Sequence, residues 1–116
     1  MSDCIFCAIV DRKIPATIVF ENDAVIGFKD LSPQAPVHVL FIPKQHFSTV
    51  NDLDDADAAL AGQLLLAARA YAAEQGFADD GFRLVMNCNK HGGQTVYHMH
   101  LHLLAGAVLP AGFGAG

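Results

Sequence analysis

The sequence predicts an α+β domain: a five-stranded antiparallel sheet with one long helix and a short N-terminal helix. Five apolar segments have strand length, and local turns separate most of them. One segment in the middle of the chain repeats apolar side chains at helical spacing. Hairpin connections favour an antiparallel sheet, because a parallel sheet needs a crossover after every strand.

The first half of the chain supplies a helical turn and three strands. The first hairpin turns at Glu21-Asn22-Asp23, which is rich in turn-forming residues. Two prolines stiffen the loop before the third strand, and Pro43 follows that strand. The predicted elements are a helical turn at 4–12, strands at 18–20 and 24–29, a loop at 31–36 and a strand at 37–42.

The second half begins with the long helix. Asn51 or Asp52 is the predicted N-cap, and Gly76 is the predicted stop. The apolar stripe that we expect to be buried consists of Leu60, Leu64, Ala67, Ala68 and Tyr71. The remaining predicted elements are a strand at 82–87, a glycine-containing turn at 89–93 and a fifth strand at 96–104.

Composition indicates one folded domain. The chain has 116 residues, of which 53% are apolar and 16% are charged, and its mean hydropathy is +0.32. Disordered chains have the opposite balance. A net charge of −5 argues against a nucleic-acid polymer as a partner. We expect a domain at residues 1–106 and a glycine-rich tail at 107–116.

The sequence also lacks membrane and export signals. No apolar run approaches the roughly 18 residues that a membrane span needs. The first residues do not combine a basic region with an apolar one, so no signal peptide is predicted. We therefore expect a cytoplasmic protein without a membrane partner.

Three histidines alternate with apolar residues near the C-terminus. Because side chains alternate between the two faces of a strand, the three imidazoles are predicted to share one face. The apolar residues are predicted to share the other face, under the long helix. The histidines are His98, His100 and His102, and the apolar residues are Met99, Leu101 and Leu103. Neighbouring imidazoles cannot all be charged cheaply, so at least one should be neutral and nucleophilic at neutral pH.

The residues before this strand suit a phosphate group. Gly92 and Gly93 allow backbone N–H groups to approach an oxyanion closely. Thr95 adds a hydroxyl, and Gln94 adds a neutral donor and acceptor. Two other interpretations remain for these residues. One is an ordinary hairpin turn beside core histidines. The other is a zinc or iron site made by the three imidazoles, although no carboxylate flanks them.

The segment 98–104 resembles the signature of the histidine triad superfamily, in which histidines alternate with apolar residues. Three further segments resemble the branch of histidine triad nucleotide-binding proteins. They are Ser32-Pro33-Gln34-Ala35-Pro36-Val37-His38, Ile42-Pro43-Lys44-Gln45-His46 and Gly92-Gly93-Gln94-Thr95-Val96-Tyr97-His98. The resemblance covers about residues 4–106. It implies a homodimer whose two five-stranded sheets join into one ten-stranded sheet, with a purine nucleotide site on each subunit.

The resemblance also implies a reaction. The protein would hydrolyse adenosine or guanosine 5′-phosphoramidates at the α-phosphate, with aminoacyl-adenylates as further candidates, and would need no catalytic cofactor. His100 would attack phosphorus and form a nucleotidyl-histidine that water then hydrolyses. A backbone carbonyl would hold the other ring nitrogen of His100. His102 would contact the phosphate, and His38 would support the cluster.

The same matching assigns the rest of the nucleotide site. Asn87 and Thr95 would face the scissile bond, and Asp30 would accept the ribose hydroxyls. The phosphate-binding backbone would come from Gly93, Gln94 and Val96. The base pocket would be lined by Phe6, Ile9, Ile14, Phe28 and Leu31. Thr95 stands where the best-known members carry serine, and the C-terminus lacks the tryptophan of animal members, so the leaving group stays open.

Cysteine spacing suggests a metal. Cys4-x-x-Cys7 has the spacing of half a zinc site, and reduced thiols are expected here. The zinc-bearing members of the superfamily add a histidine after the third strand and the first histidine of the triad. The resemblance thus implies a structural zinc held by Cys4, Cys7, His46 and His98. Cys88 has no assigned role.

The sequence leaves three alternative functions open. One is a dinucleoside polyphosphate hydrolase of the same superfamily. Another is a nucleotide-binding regulatory dimer with little physiological turnover. The last is a metal-dependent hydrolase that uses His98, His100 and His102 as ligands, which a chelator would inactivate.

Overall fold

A computed structural model describes residues 4–112 and has the predicted α+β architecture. The elements are α1 (Ile5–Val10), β1 (Ile18–Glu21), β2 (Val25–Lys29), β3 (Val37–Pro43), α2 (Ala58–Gln75), β4 (Arg83–Met86), α3 (Asn89–Gly92) and β5 (Leu101–Ala105). The strands form one antiparallel sheet in the order β1-β2-β3-β5-β4. Within the described range, no helix is both long and apolar enough to cross a bilayer.

The β1–β2 hairpin turns where the sequence predicts. Oδ1 of Asn22 accepts the N–H groups of Ala24 at 3.0 Å and Val25 at 2.9 Å. The asparagine side chain thereby satisfies two backbone donors that the tight turn would otherwise leave unpaired.

The sheet separates two apolar layers. Alternate residues of β2 and β3 contribute to opposite layers, as the two-residue period of a strand requires. The layer under α2 includes Val25, Val39, Phe41, Met99, Leu101 and Leu103. The layer under α1 includes Phe6, Ile9, Ile26, Phe28 and Leu40. The predicted packing of the apolar residues between the histidines is therefore confirmed.

The long helix ends where the sequence predicts but begins later. Gly76 adopts a left-handed φ of 86° and ends α2. Thr49 and Asp54 cap two successive 3-10 turns, and α2 starts only after them. In each turn an acidic side chain also bonds back to the N–H of the cap residue. The predicted N-cap at Asn51 or Asp52 is therefore wrong.

The buried stripe of α2 matches the prediction closely. Leu60 is half-buried, and the other members are buried. Those buried members are Leu64, Ala67, Ala68 and Tyr71. They cover the face of the sheet that carries no histidine, so α2 stays on the far side of the sheet from the site.

The fifth strand is shorter than predicted. It starts at Leu101, and residues 96–100 do not pair in the sheet. Their backbone groups are used otherwise: the Met99 N–H donates to a loop carbonyl at 2.7 Å, and the His98 carbonyl accepts from the ring of His100 at 2.8 Å. The predicted turn at 89–93 is likewise a short helix, α3.

The C-terminal segment lies against β4. Nη1 of Arg83 donates to the carbonyl oxygen of Pro110 at 3.2 Å. Val108 is fully exposed. The predicted tail at 107–116 is described only as far as residue 112, and residues 113–116 lie outside the described range.

Candidate active site

A cavity of about 260 Å³ opens on the α1 side of the sheet, and we call it the apolar cavity. All the residues predicted for the base pocket line it: Phe6, Ile9, Ile14, Phe28 and Leu31. Asp30, Thr95, Val96, His100 and His102 line it as well. Leu31 is 94% exposed and Ile5 is 52% exposed, so the rim is apolar and uncovered. A planar apolar group that enters the cavity would remove this rim from water.

His100 presents an unprotonated ring nitrogen to the apolar cavity. Its Nδ1 lies 2.8 Å from the carbonyl oxygen of His98 and donates to it. Among residues 4–112, Nε2 of His100 has no hydrogen-bond partner, yet no buried side-chain nitrogen or oxygen is left unpaired. Nε2 therefore reaches the cavity, and in this tautomer it carries the lone pair. The ring of Phe6 packs edge-on against the imidazole, with centroids 5.2 Å apart.

A second imidazole is held in the opposite tautomer. The N–H of Gln34 donates to Nδ1 of His38 at 3.0 Å, so the proton of neutral His38 is on Nε2. That Nε2 lies 2.9 Å from Nδ1 of His102 and donates to it. The proton of His102 is then on its own Nε2. Oδ2 of Asp30 lies 3.4 Å from Nε2 of His38 and supports the same orientation.

The two neighbouring imidazoles thus offer complementary groups. The ring centroids of His100 and His102 are 5.0 Å apart. One ring presents a lone pair and the other an N–H donor. A nucleophile beside a neutral donor is an arrangement that can attack phosphorus while one of its oxygens is held.

Burial keeps the imidazoles of His102 and His38 neutral. Burial, followed by the neighbouring imidazoles of His100 and His38, lowers the pKa of His102 from 6.5 to about 4. Burial also lowers the pKa of His38, against the opposing charge of Asp30. The hydrogen-bonded chain requires both rings to be neutral, and these shifts favour that state at neutral pH.

The lowered pKa of His102 predicts a loss of stability in acid. The unfolded chain binds this proton as the pH falls below about 6.5, whereas the folded chain binds it only near pH 4. The stabilisation is therefore complete above the unfolded pKa and is lost as the pH falls through this window. Urea unfolding in EDTA should show a smaller loss between about pH 7.5 and pH 5 for His102→Asn than for the unaltered chain. An identical pH dependence of the two proteins would contradict the assignment.

The predicted phosphate cradle is only partly available. The N–H groups of Gly93 and Gln94 donate to carbonyls of α3 at 3.1 Å each, because they close the end of that helix. The Gln94 side chain is also occupied, since its Nε2 donates to the carbonyls of Ser48 and Val96. Among residues 4–112, the N–H groups of Thr95 and Val96 have no acceptor. The structure therefore does not support the prediction for Gly93 and Gln94, and it leaves Thr95 and Val96 as the available donors.

Asn87 and Thr95 lie on different sides of the histidines. Thr95 lines the apolar cavity, whereas Asn87 lines a second cavity of about 310 Å³, which we call the β4 cleft. His102 lines both. The reacting atom therefore has room on either side of the imidazoles.

A second polar cluster holds four metal-ligand atoms together. Sγ of Cys4 lies 3.3 Å from Nδ1 of His98, and Sγ of Cys7 lies 3.3 Å from Nδ1 of His46. The two Nδ1 atoms are 3.2 Å apart. Nε2 of His98 donates to the Pro43 carbonyl at 2.8 Å, which leaves the lone pair on Nδ1. Burial, and then the Cys4 thiol, raise the pKa of Cys7 to about 11.

The histidines that face the cavities do not suit a metal. Asp30, His38 and His102 bring three potential ligand atoms within 4.8 Å of one another. However, the N–H of Gln34 uses the lone pair of His38, so the ring atom that faces this group bears a proton. His98 turns its ring toward the cysteines instead of toward His100. The alternative of a metal held by the three triad histidines therefore lacks a converging set of lone pairs.

Comparisons with known proteins show which family this chain belongs to. The family model described as "Scavenger mRNA decapping enzyme C-term binding" matches residues 3–112. A protein of Escherichia coli (strain K12) named purine nucleoside phosphoramidase is 47% identical over 107 residues, which cover 92% of this chain and 90% of that protein. This chain belongs to the histidine triad superfamily.

Solved structures of histidine triad proteins share the fold. A HIT family hydrolase from Legionella pneumophila Philadelphia 1 has a TM-score of 0.88 and 48% identity, covering 90% of this chain and 94% of its own. A histidine triad protein from Clostridium difficile has a TM-score of 0.93 and 42% identity, covering 96% of each chain.

The histidine triad site includes residues that the sequence analysis did not assign. Gln34 fixes the tautomer of His38 through its backbone, and Pro43 fixes that of His98. These two contacts use backbone atoms, whose position does not depend on the type of side chain, so the sequence could not reveal them. Arg83 lines the β4 cleft. Alternation along the fourth strand places it on the face of Asn87, and that signal was available.

Proposed function

We propose that this protein hydrolyses purine nucleoside 5′-phosphoramidates at the α-phosphate through a covalent nucleotidyl-His100. The observation that carries the proposal is the pairing of tautomers, in which His100 offers a lone pair and His102 offers an N–H to one cavity. The similarity to a protein named purine nucleoside phosphoramidase supports the same reaction.

The reaction takes two displacements. In the first, the lone pair on Nε2 of His100 forms a bond to phosphorus while the P–N bond breaks. The amine leaves as a neutral group with a proton taken from solvent. In the second, water attacks phosphorus, the bond to Nε2 breaks, and the proton of the water returns to solvent. Splitting one displacement into two lets a neutral imidazole act as both nucleophile and leaving group.

Each group around His100 has a task in these steps. Nδ1–H of His100 donates to the His98 carbonyl throughout, so the positive charge that develops on the ring faces an oxygen acceptor. Nε2–H of His102 and the N–H groups of Thr95 and Val96 would hold phosphate oxygens. Because burial keeps His102 neutral, it would bind the phosphate as a neutral hydrogen-bond donor and not as a cation.

The apolar cavity would hold the nucleoside. Phe6 and Phe28 pack with centroids 5.2 Å apart and give the cavity an aromatic wall against which a purine can lie. Asp30 lies at the same cavity, and a carboxylate can accept both hydrogens of a ribose diol. One of its oxygens already accepts the N–H of Ser32 at 2.7 Å, which fixes the orientation of the carboxylate.

A structural zinc would be held by the group at Cys4, Cys7, His46 and His98. Bond lengths of about 2.3 Å to sulfur and about 2.0 Å to nitrogen put tetrahedral ligand atoms roughly 3.3–3.8 Å apart. Four of the six separations run from 3.2 to 3.6 Å and all six lie within 4.8 Å, so the residues fit a zinc ion. When bound, zinc would link α1 to the strand connection that carries the nucleophile, and it takes no part in the chemical steps.

A homodimer would form through β4. This strand is at an edge of the sheet, so one side of its backbone has no neighbouring strand within the described chain. Exposed edges invite pairing with another strand. Two such edges in contact would join the sheets of two subunits into one of ten strands.

The function is tested with adenosine 5′-phosphoramidate carrying a fluorogenic amine, in the presence of EDTA. Turnover that releases AMP supports the proposal. AMP binding without release of the amine would reject the hydrolase and leave a nucleotide-binding protein. Sedimentation of the same preparation tests the dimer, which a monomer at micromolar concentration would contradict.

A further inference from the structure

Gln94 carries a buried side-chain amide that lines neither cavity. The residue is 7% exposed. Its Oε1 accepts the N–H of Asn89 at 2.9 Å, and its Nε2 donates to the carbonyl oxygens of Ser48 at 2.8 Å and Val96 at 3.0 Å. An amide side chain has one carbonyl oxygen and two N–H donors, so every polar atom of this side chain has a partner. The side chain is therefore not available to a ligand.

The bond to Val96 closes a ring around Thr95. The ring runs from the side chain of Gln94 along the backbone to the carbonyl of Val96. It contains the two peptide units that carry the N–H groups of Thr95 and Val96. Because a peptide unit is planar, closing the ring restricts the direction of both N–H groups. The same two N–H groups have no acceptor among residues 4–112.

Two neighbouring elements hold this ring in place. Gln94 and Asn89 exchange two hydrogen bonds, since the Gln94 N–H also donates to the Asn89 carbonyl at 3.1 Å. The bond to Ser48 attaches the ring to the connection between β3 and α2. The N–H of Met99 donates to Phe47 of the same connection at 2.7 Å. The ring is therefore fixed relative to α3 and to the segment that carries the nucleophile.

The ring lies at the wall of the apolar cavity. Thr95 and Val96 line that cavity together with His100. Hydrogen-bond donors that are already oriented stabilise a developing negative charge without a cost of reorganisation. A free peptide segment would have to be ordered when a ligand binds, and that ordering lowers affinity. The contacts of Gln94 thus orient two backbone donors before an anion binds.

We propose that Gln94 is a positioning residue, whose side-chain amide holds the Thr95 and Val96 N–H groups in the direction that binds phosphate oxygens. This inference rests on the proposed function, in which these two groups contact the α-phosphate. Gln94 itself touches neither the phosphate nor the nucleoside. It therefore sets the affinity for the phosphate and leaves the affinity for the nucleoside unchanged.

The experiment compares two ligands that differ only in the phosphate: AMP and adenosine. Their dissociation constants are measured by calorimetry for the unaltered chain and for two variants. Gln94→Met keeps the length of the side chain and removes all three of its hydrogen bonds without adding charge. Gln94→Glu keeps an acceptor for the Asn89 N–H and removes the two donors.

Both variants should lose affinity for AMP alone. We expect AMP to bind about tenfold more weakly or worse, which corresponds to the loss of a hydrogen bond to a charged group. Adenosine should bind as it does to the unaltered chain. Hydrolysis should follow the phosphate, so kcat/KM for a phosphoramidate should fall about 100-fold, the scale of losing one preorganised oxyanion donor.

Two controls separate positioning from a loss of stability. Leu64→Ala opens a cavity in the layer under α2, on the far side of the sheet from the site. It should lower stability without changing the ratio of the two dissociation constants. Gln63→Met repeats the substitution at an exposed position of α2 and should leave the ratio unchanged as well.

Amide NMR observes the two donors directly. The N–H protons of Thr95 and Val96 should move downfield when AMP binds to the unaltered chain, because an amide proton that donates to a phosphate oxygen is deshielded. Adenosine should not produce this change, and AMP should not produce it in Gln94→Met.

Three results would overturn the proposal. Equal weakening of AMP and adenosine in Gln94→Met means that Gln94 only supports the fold. An unchanged ratio in both variants means that the two N–H groups keep their direction without the amide. A ratio that survives in Gln94→Glu but not in Gln94→Met assigns the effect to the bond with Asn89 and not to the ring.

The binding measurement also separates this inference from the proposed function. A ratio lost in Gln94→Met supports positioning even if the unaltered chain hydrolyses no phosphoramidate. Turnover with an unchanged ratio supports the hydrolase and rejects the role of Gln94. If the unaltered chain binds AMP no more tightly than adenosine, the inference fails, whatever the turnover.

Discussion

Replacing His100 with asparagine should lower kcat for a phosphoramidate by on the order of 10⁴-fold or more, the scale of losing a covalent nucleophile. The lone pair on Nε2 is the group that forms the bond to phosphorus, and asparagine offers none of comparable strength. His102 cannot replace it, because the chain from Gln34 through His38 keeps a proton on its outward nitrogen. The measurement is steady-state hydrolysis in EDTA, with thermal unfolding to confirm the fold.

A matched control is available on α3. His91 is exposed and lies outside the residues that line either cavity, so His91→Asn should turn over normally. Retention of most of the activity in His100→Asn would contradict the assignment of His100 as the nucleophile. An equal loss of activity in both variants would mean that the substitutions act by destabilising the fold.

Replacing Cys4 with serine should remove the proposed zinc and lower the melting temperature. A metal present at about 100 times its dissociation constant stabilises a folded chain by about 2.7 kcal/mol. In a domain of this size, a change of 1 kcal/mol shifts the midpoint by about 4 °C, so the expected fall is roughly 10 °C. Cys4 is suited to the test because its Sγ also caps α1 through the N–H of Cys7, a contact that serine can reproduce.

The third cysteine provides the control. Cys88 is half-buried and lies outside the metal-ligand group, so Cys88→Ser should keep both the zinc and the melting temperature. Metal analysis of protein purified without chelator gives the stoichiometry directly. Well under one zinc per chain, together with equal reactivity of all three thiols, would reject the metal site.

The sequence predicts the sheet and the division of its faces well. Alternation around His98, His100 and His102 is a local property, and the α2 layer is filled as that alternation requires. The resemblance predicts the metal-ligand group, and its four side chains converge. The base-pocket residues also converge, because they lie on α1 and β2, or in the loops that follow them.

Other features depend on contacts between distant segments. The fifth strand, predicted at 96–104, begins later than predicted. The ring of His98 donates to the Pro43 carbonyl and the ring of His100 donates to the His98 carbonyl, so these groups take no part in strand pairing. The N–H donors of the predicted glycine-containing turn close the end of α3. The presence of two glycines alone does not predict this helix. The tautomers follow from backbone groups of Gln34 and Pro43, whose side-chain identities carry no information about them.

His98 takes part in both clusters at once. Its ring nitrogen lies among the cysteines, and its carbonyl accepts from His100, only two residues away. Substitutions in one of the two clusters are therefore expected to affect the other. A descendant that lost Cys4 and Cys7 would leave a buried lone pair on Nδ1 of His98, which costs free energy unless a hydrogen-bond donor faces it. Lineages without the cysteine pair should thus keep a donor side chain at position 46, because Nδ1 of His46 lies 3.2 Å from Nδ1 of His98.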